Sequence, residues 1–131
     1  MNTILGELGK SPKFCEYIKN IETKKSPIAI SGLTDVGMVQ MLAATREFIK
    51  KPICIITYNE IQARKIVEDL NYFTDKIIYL PKKEIVTYDY IAESKDLPYE
   101  RIEALNKIQE LKTGIVVTTV EAAIQKMISK D

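Results

Sequence analysis

The sequence contains no histidine and no tryptophan, and it has only two cysteines among 131 residues. Without histidine it lacks the commonest general base and the commonest metal ligand, and two distant cysteines cannot supply the ligand spacing of a zinc site. No apolar run approaches the ~18 residues of a membrane span, and the N-terminus lacks the basic flank and apolar core of a secretion signal. These absences predict a protein of the reducing cytoplasm with no resident metal and no membrane contact.

The remaining composition is that of one ordinary globular domain, with 46% apolar and 28% charged residues. Nineteen basic and eighteen acidic residues leave a formal charge of +1. Such a balance creates no overall field that would attract nucleic acid or anionic lipid. Binding to either would therefore require a local patch.

One stretch near the N-terminus has the layout of a phosphate-binding loop. The apolar run Ile28-Ala29-Ile30 predicts a strand, residues 31–37 predict a glycine turn, and the pattern from Met38 predicts a helix. In such a loop the backbone N–H groups and the helix N-terminus face a polyphosphate.

The loop has the glycines of the motif G-x-x-x-x-G-K-S/T but not its chemistry. Gly32 and Gly37 occupy the two glycine positions, while Met38 replaces the lysine and Val39 replaces the hydroxyl residue. The lysine would contribute contacts of roughly 1.5–3 kcal/mol each, and the hydroxyl would ligate Mg²⁺. Asp35 adds a negative charge that would repel phosphate and could instead cap the helix.

Three interpretations of this loop stay open from the residues alone. It is a non-catalytic relic of a phosphate loop, a weak residual nucleotide site, or a plain turn between a strand and a helix. The first is favoured, because neither a thioether nor an isopropyl group can replace the missing contacts.

Strand and helix patterns alternate along the chain, which predicts an α/β fold with right-handed crossovers and a parallel sheet. Cys54 lies within one apolar run and is predicted to be a small core residue. The four predicted strands cover residues 28–30, 53–57, 76–80 and 115–118. Predicted helix starts are Ser11-Pro12, Asn59-x-x-Gln62, Ser94 or Asp96 (with Ile102, Leu105 and Ile108 turned inward), and Thr118-x-x-Glu121.

The pattern also predicts two regions, a helical arm over residues 1–26 and an α/β domain over residues 27–131. In the arm, Phe14, Ile18 and Ile21 recur at helical spacing and give one apolar face.

The least regular part of the chain, residues 82–97, is a predicted interaction loop. Lys82 and Lys83 stand beside Tyr88 and Tyr90, a combination that could stack single-stranded bases. The alternative is that these tyrosines cover the edge of the sheet.

Several segments, taken in order, resemble the N-terminal UvrB-homology module of the bacterial transcription-repair coupling factor (Mfd). The resemblance runs from about Pro27 onward. UvrB keeps an intact phosphate loop, so Met38 and Val39 favour the coupling factor. The segments are Gly32 to Gly37, Pro52 to Ala63, Tyr79-Leu80-Pro81, Tyr88-Asp89, Glu100 to Leu105 and Ile115 to Ala122.

This resemblance implies a RecA-like (P-loop NTPase-like) α/β domain that serves as a non-catalytic scaffold and binds no cofactor itself. Members of the family displace RNA polymerase stalled at lesions and recruit UvrA. Their ATP- and Mg-dependent motor, and their contacts with RNA polymerase and DNA, belong to downstream domains, and UvrA is met mainly through the domain that follows this one. The chain is accordingly expected to be a fragment that contacts other domains of its parent. The strand 115–118 ends in threonines rather than in an acidic pair for Mg²⁺.

Overall fold

The computed structural model of the chain describes residues 3–83 and 96–125. Tyr88, Tyr90 and Ser94 fall outside these ranges. The helices and strands are α1 (Thr3–Leu8), α2 (Pro12–Glu22), α3 (Asp35–Phe48), β1 (Pro52–Thr57), α4 (Glu60–Asn71), β2 (Ile77–Leu80), α5 (Asp96–Glu110), β3 (Gly114–Thr119) and α6 (Val120–Ile124).

The three strands form one parallel sheet in the order β1-β3-β2. β1 pairs with β3 from Pro52↔Gly114 to Thr57↔Thr119, and β2 pairs with β3 from Ile77↔Ile115 onward. α4 connects β1 to β2, and α5 connects β2 to β3. The predicted α/β class and parallel sheet are confirmed.

The predicted strand at residues 28–30 is wrong. These residues form neither a helix nor a strand, and Ile30 is largely exposed. Residues 26–33 donate and accept no hydrogen bond to any other described residue. An apolar run of three residues becomes a strand only where a neighbouring strand offers its edge, and the described part of the chain offers none here.

The main core lies between the sheet and the helices α3 and α4, and the N-terminal helices join it. Leu5 of α1 and Phe14 of α2 are buried in this cluster, and the Phe14 ring packs edge-on against Phe48 with centroids 5.5 Å apart. The cluster's buried members are Leu5, Phe14, Val39, Ala43, Ala44, Ala63, Ile66, Leu70, Ile115 and Val117.

A smaller cluster, around Leu80, Ala104 and Val116, covers the other face of the sheet under α5. This cover stops short of β1. Cys54, predicted to be a core residue, is exposed because strand alternation points it to this face, where α5 reaches only β2 and β3. Ile102 of α5, predicted to point inward, is also exposed.

Candidate functional site

The candidate phosphate loop leads into a helix that begins earlier than the sequence predicts. α3 begins at Asp35 rather than Met38, so Gly37 lies within its first turn. The side chain of Thr34 caps this helix and accepts a hydrogen bond from Gly37 N at 3.1 Å. The cap is therefore Thr34 and not Asp35, and it occupies an N–H group that a phosphate loop offers to its ligand.

Asp35 lies at the first position of α3 and is paired with the neighbouring helix. Its Oδ2 is 2.9 Å from Lys65 Nζ of α4. The hydrogen bond from Lys65 to this carboxylate raises the pKa of Lys65. The positive end of the α3 dipole thus faces a carboxylate that the chain itself supplies.

Met38 and Val39, which stand at the lysine and hydroxyl positions of the motif, contribute to packing. Val39 is buried in the main core, and Met38 packs against the same cluster. The cavity beside them, between α3 and α4, has a volume of about 30 Å³. Such a volume holds no more than one or two water molecules.

The same arrangement recurs at the starts of α4 and α6. Asn59 accepts from Gln62 N at 2.8 Å, as the predicted capping box requires, and Thr119 accepts from Ala122 N at 3.2 Å. The cap of α6 is therefore Thr119, one residue later than predicted. Each first turn carries a paired acid, with Glu60 2.8 Å from Arg64 and Glu121 3.0 Å from Lys82.

These helix starts lie at the carboxyl edge of the sheet, since α4 follows β1 and α6 follows β3 directly. α3 leads into the amino end of β1, so its own start also points to this edge. In open α/β sheets the carboxyl edge is where ligands usually bind. Here the helix N-termini at that edge are capped and neutralised from within the chain.

Threonine side chains tie the strand ends together at this edge. Thr57 Oγ1 donates to Asn59 O at 2.9 Å and to Thr118 O at 3.2 Å, while Thr118 Oγ1 donates to Leu80 O at 3.0 Å. These hydroxyls are committed to backbone carbonyls and hold the ends of β1, β3 and β2 in register.

Arg101 of α5 is a buried cation at the same edge, and the helical pattern did not single it out. Its guanidinium donates to Pro81 O and to Ala122 O, the latter at 3.3 Å. Burial lowers the pKa of Arg101, although an arginine in this range stays charged at neutral pH. Arg101 thereby joins the end of β2 to α6, and only the apolar positions on either side of it hinted that it would point inward.

Lys82 and Lys83, half of the predicted interaction loop, are held against α6. Lys82 pairs with Glu121, and the backbone of Lys83 is bound at two points by the side chain of Gln125. Gln125 Oε1 accepts from Lys83 N at 2.6 Å, and Gln125 Nε2 donates to Lys83 O at 3.0 Å. Tyr88 and Tyr90 lie outside the described residues, so their proximity to these lysines stays a prediction.

A cavity of about 520 Å³ lies beside the loop, between α2, residues 28–33 and the start of α3. Phe14, Tyr17 and Met41 give it apolar and aromatic walls, and it reaches Gly37. A cavity of this size is within the usual range for small-molecule sites.

No three histidine, cysteine, aspartate or glutamate residues cluster to hold a metal ion within residues 3–83 and 96–125. In the same ranges, no helix has the length and apolar character needed to cross a membrane.

Comparison with characterised proteins gives one recurring name. A transcription-repair-coupling factor of Bacillus subtilis (strain 168) is 25% identical over 130 residues, which are 98% of this chain and 11% of that protein. The corresponding factor of Staphylococcus aureus (strain MRSA252) is 29% identical over 117 residues, 88% of this chain and 10% of that protein. The chain is similar to part of a transcription-repair-coupling factor.

The chain spans about a tenth of the length of the curated transcription-repair-coupling factors that it matches. It thus corresponds to a minor part of a larger multidomain chain. No model of a known protein family matches it, and no solved structure matches it.

Proposed function

We propose that this chain is a non-catalytic, protein-contacting domain of a transcription-repair coupling factor, built on a RecA-like fold whose phosphate loop is degenerate. The observation that carries the proposal is the self-contained carboxyl edge of the sheet. Thr34, Asn59 and Thr119 cap its three helices, and an acidic residue in each first turn is paired with a basic one.

This edge has little to offer a polyphosphate. A phosphate at α3 would have to displace the Thr34 cap, which is worth about 1 kcal/mol, and would meet the Asp35 carboxylate. It would also lack the lysine contacts, worth roughly 1.5–3 kcal/mol each. At about 1.4 kcal/mol per tenfold in affinity, these deficits move a micromolar site into the millimolar range.

The role of the parent chain follows from the resemblance described above. Such a factor would displace stalled RNA polymerase and recruit UvrA, with its ATP- and Mg-dependent motor and its DNA contacts in other domains. The present domain would serve it as a scaffold for contacts with those domains.

Titration calorimetry with MgATP tests the inert loop. We expect no saturable binding below about 1 mM. Saturation below about 100 μM, abolished by Gly37→Val, would reject the proposal. Gly37→Val is a suitable probe because a Cβ at this position would stand 3.3 Å from Thr34 Oγ1, inside the cap. Lys13→Ala on α2, at the rim of the neighbouring cavity, is the control for general surface effects.

Weak nucleotide binding is the second candidate, and the cavity beside Gly37 is the observation that favours it. Its aromatic walls could accept a base while the loop contributes little to the phosphates. Millimolar MgATP binding that adenosine matches in affinity would support this candidate, because the base would then supply the binding energy.

Single-stranded DNA binding through Lys82, Lys83, Tyr88 and Tyr90 has less support. The ammonium of Lys82 lies 3.0 Å from Glu121, and that carboxylate would compete with a DNA phosphate. Binding that weakens steeply with salt would favour this hypothesis.

A further inference from the structure

β1 is an edge strand with the sequence of a central strand. Its residues Ile53-Cys54-Ile55-Ile56 form an unbroken apolar run, which is typical of strands buried on both faces. Proteins usually protect an edge with charged residues, proline or a covering element. Only Pro52, at the first position of β1, belongs to these protective devices, and β1 pairs with β3 alone in the described sheet.

The face of β1 that α5 does not reach is bare. Ile56 is 57% exposed, whereas Thr118, its partner on β3, is 2% exposed. Cys54 is likewise exposed, although its partner Val116 is 8% exposed. Burial therefore stops abruptly between β3 and β1.

Apolar side chains of α6 extend this bare region. α6 contacts β1, and its residues Val120 and Ile124 are 49% and 79% exposed. Full burial of an isoleucine or valine side chain is worth roughly 1.5–3 kcal/mol. The exposed face of β1 and these two side chains together form a surface suited to a further packed layer.

The handedness of the crossovers indicates where the sheet continues. α3 and α4 pack into the same core, on one face of the sheet. The connection through α4 steps from β1 past β3 to β2, and right-handed crossovers on one face step in one direction. Residues 28–30, which precede α3, must then lie on the free side of β1 if they belong to the same sheet.

We propose that the free edge of β1 accepts at least one β-strand from a part of the parent polypeptide outside residues 1–131. The added strand would lie between β1 and residues 28–30, which would then complete the sheet as a further strand. The parent polypeptide is the occupant because this chain spans only about a tenth of the relatives that it matches. The inference does not depend on whether the loop binds nucleotide.

Thiol labelling in the parent protein tests this inference, with Cys54 as the reporter and Cys15 of α2 as the internal control. Both cysteines are exposed in the isolated chain. We expect N-ethylmaleimide to label Cys54 at least about tenfold more slowly than Cys15 in the parent, and the two to react within about threefold in the 131-residue chain. Peptide mass spectrometry resolves the two sites, and slow amide exchange at Ile115 and Val117 checks that the short chain is folded.

Equal labelling of Cys54 and Cys15 in the parent would overturn the inference. Concentration-dependent protection of Cys54 in the 131-residue chain, accompanied by dimer formation, would also overturn it and would assign the edge to a second copy. Protection of Cys54 in the parent with hydrogen-bonded amides that pair residues 28–30 directly with β1 would leave no place for an added strand, and would equally count against it.

A pair of variants gives an independent readout. Ile56→Glu in the parent should lower its melting temperature and increase proteolysis around this domain, because a carboxylate would enter the new interface. Tyr72→Glu, a matched change at an exposed residue that ends α4, should leave both unchanged. Equal effects of the two variants would contradict the proposed interface.

Discussion

At the scale of single residues, the most consequential feature is the guanidinium of Arg101. It is buried without a carboxylate partner among the described residues and is satisfied by two backbone carbonyls. Removing a buried charged donor leaves those carbonyls without their partners, and each lost charge-assisted hydrogen bond costs roughly 1.5–3 kcal/mol.

Arg101→Met should therefore lower the free energy of unfolding by about 2–4 kcal/mol. Arg64→Met is the matched control. Arg64 makes an exposed pair with Glu60 and lies over the Tyr79 ring at 4.9 Å, contacts together worth about 1 kcal/mol or less. Urea unfolding followed by circular dichroism measures both, and equal losses would show that Arg101 is not a special anchor.

Tyr79 should make stability depend on pH in the alkaline range. Burial, followed by the nearby charge of Glu60, raises the pKa of Tyr79. The folded state therefore holds the phenol proton more tightly than the unfolded state, whose pKa is about 10. The stability from this group is complete below that pH and is lost as the pH rises through the higher folded pKa.

Tyr79→Phe should remove this contribution and keep the ring under Arg64. Urea unfolding of the variant should then lose stability less steeply above about pH 10 than the parent sequence does. Tyr72→Phe, at an exposed ring, should retain the original slope. A Tyr79→Phe profile parallel to the original would contradict this assignment.

At the scale of elements, the start of α3 determines what the loop can do. The sequence placed this start at Met38, and the structure places it at Asp35. The difference arises because Thr34 is an effective cap, so the helix extends back through Gly37. Restoring the motif's side chains would therefore not restore an open cradle.

The double variant Met38→Lys/Val39→Thr should still bind MgATP no more tightly than about 1 mM. It should also lose about 1–3 kcal/mol of stability, because Val39 is buried and threonine would bring a hydroxyl into the core. Calorimetry and thermal melts measure the two effects. Binding below about 100 μM would instead mean that the missing side chains alone had silenced the loop.

Local patterns determined which elements the sequence could predict. The caps at Ser11 and Asn59 and the runs that became β1, β2 and β3 were predicted correctly, because their signals are confined to a few adjacent residues. Residues 28–30 could not be predicted in this way, since a strand also needs a partner edge. Cys54 and Ile102 were misassigned for a related reason, because alternation gives the face on which a side chain lies but not whether anything covers that face.

At the scale of the whole molecule, the N-terminal arm is part of the core. The sequence predicted a boundary at residue 26, yet Leu5 and Phe14 are buried in the cluster that also contains α3, α4 and β3. The two side chains contribute about 3–6 kcal/mol, a substantial share of a typical total of 5–15 kcal/mol.

A chain beginning at Pro27 should accordingly be unfolded or close to its unfolding midpoint at 25 °C. Leu5→Ala should cost about 2–5 kcal/mol in the 131-residue chain, whereas Lys13→Ala, on an exposed face of α2, should cost less than about 0.5 kcal/mol. Far-UV circular dichroism during urea unfolding decides between these outcomes. An unchanged midpoint after truncation would establish the arm as an independent region.

The clamp of Gln125 on residue 83 has a consequence for tolerance to substitution. A carboxamide that reads only main-chain groups is indifferent to the side chain it holds, so every amino acid except proline, which lacks the N–H, can stand at position 83. Gln125→Glu replaces one nitrogen by oxygen and would set an anion against the carbonyl of Lys83. Amide exchange at residue 83 should therefore accelerate in that variant and stay slow in Lys83→Ala, so that surface charge here can drift while the tether persists.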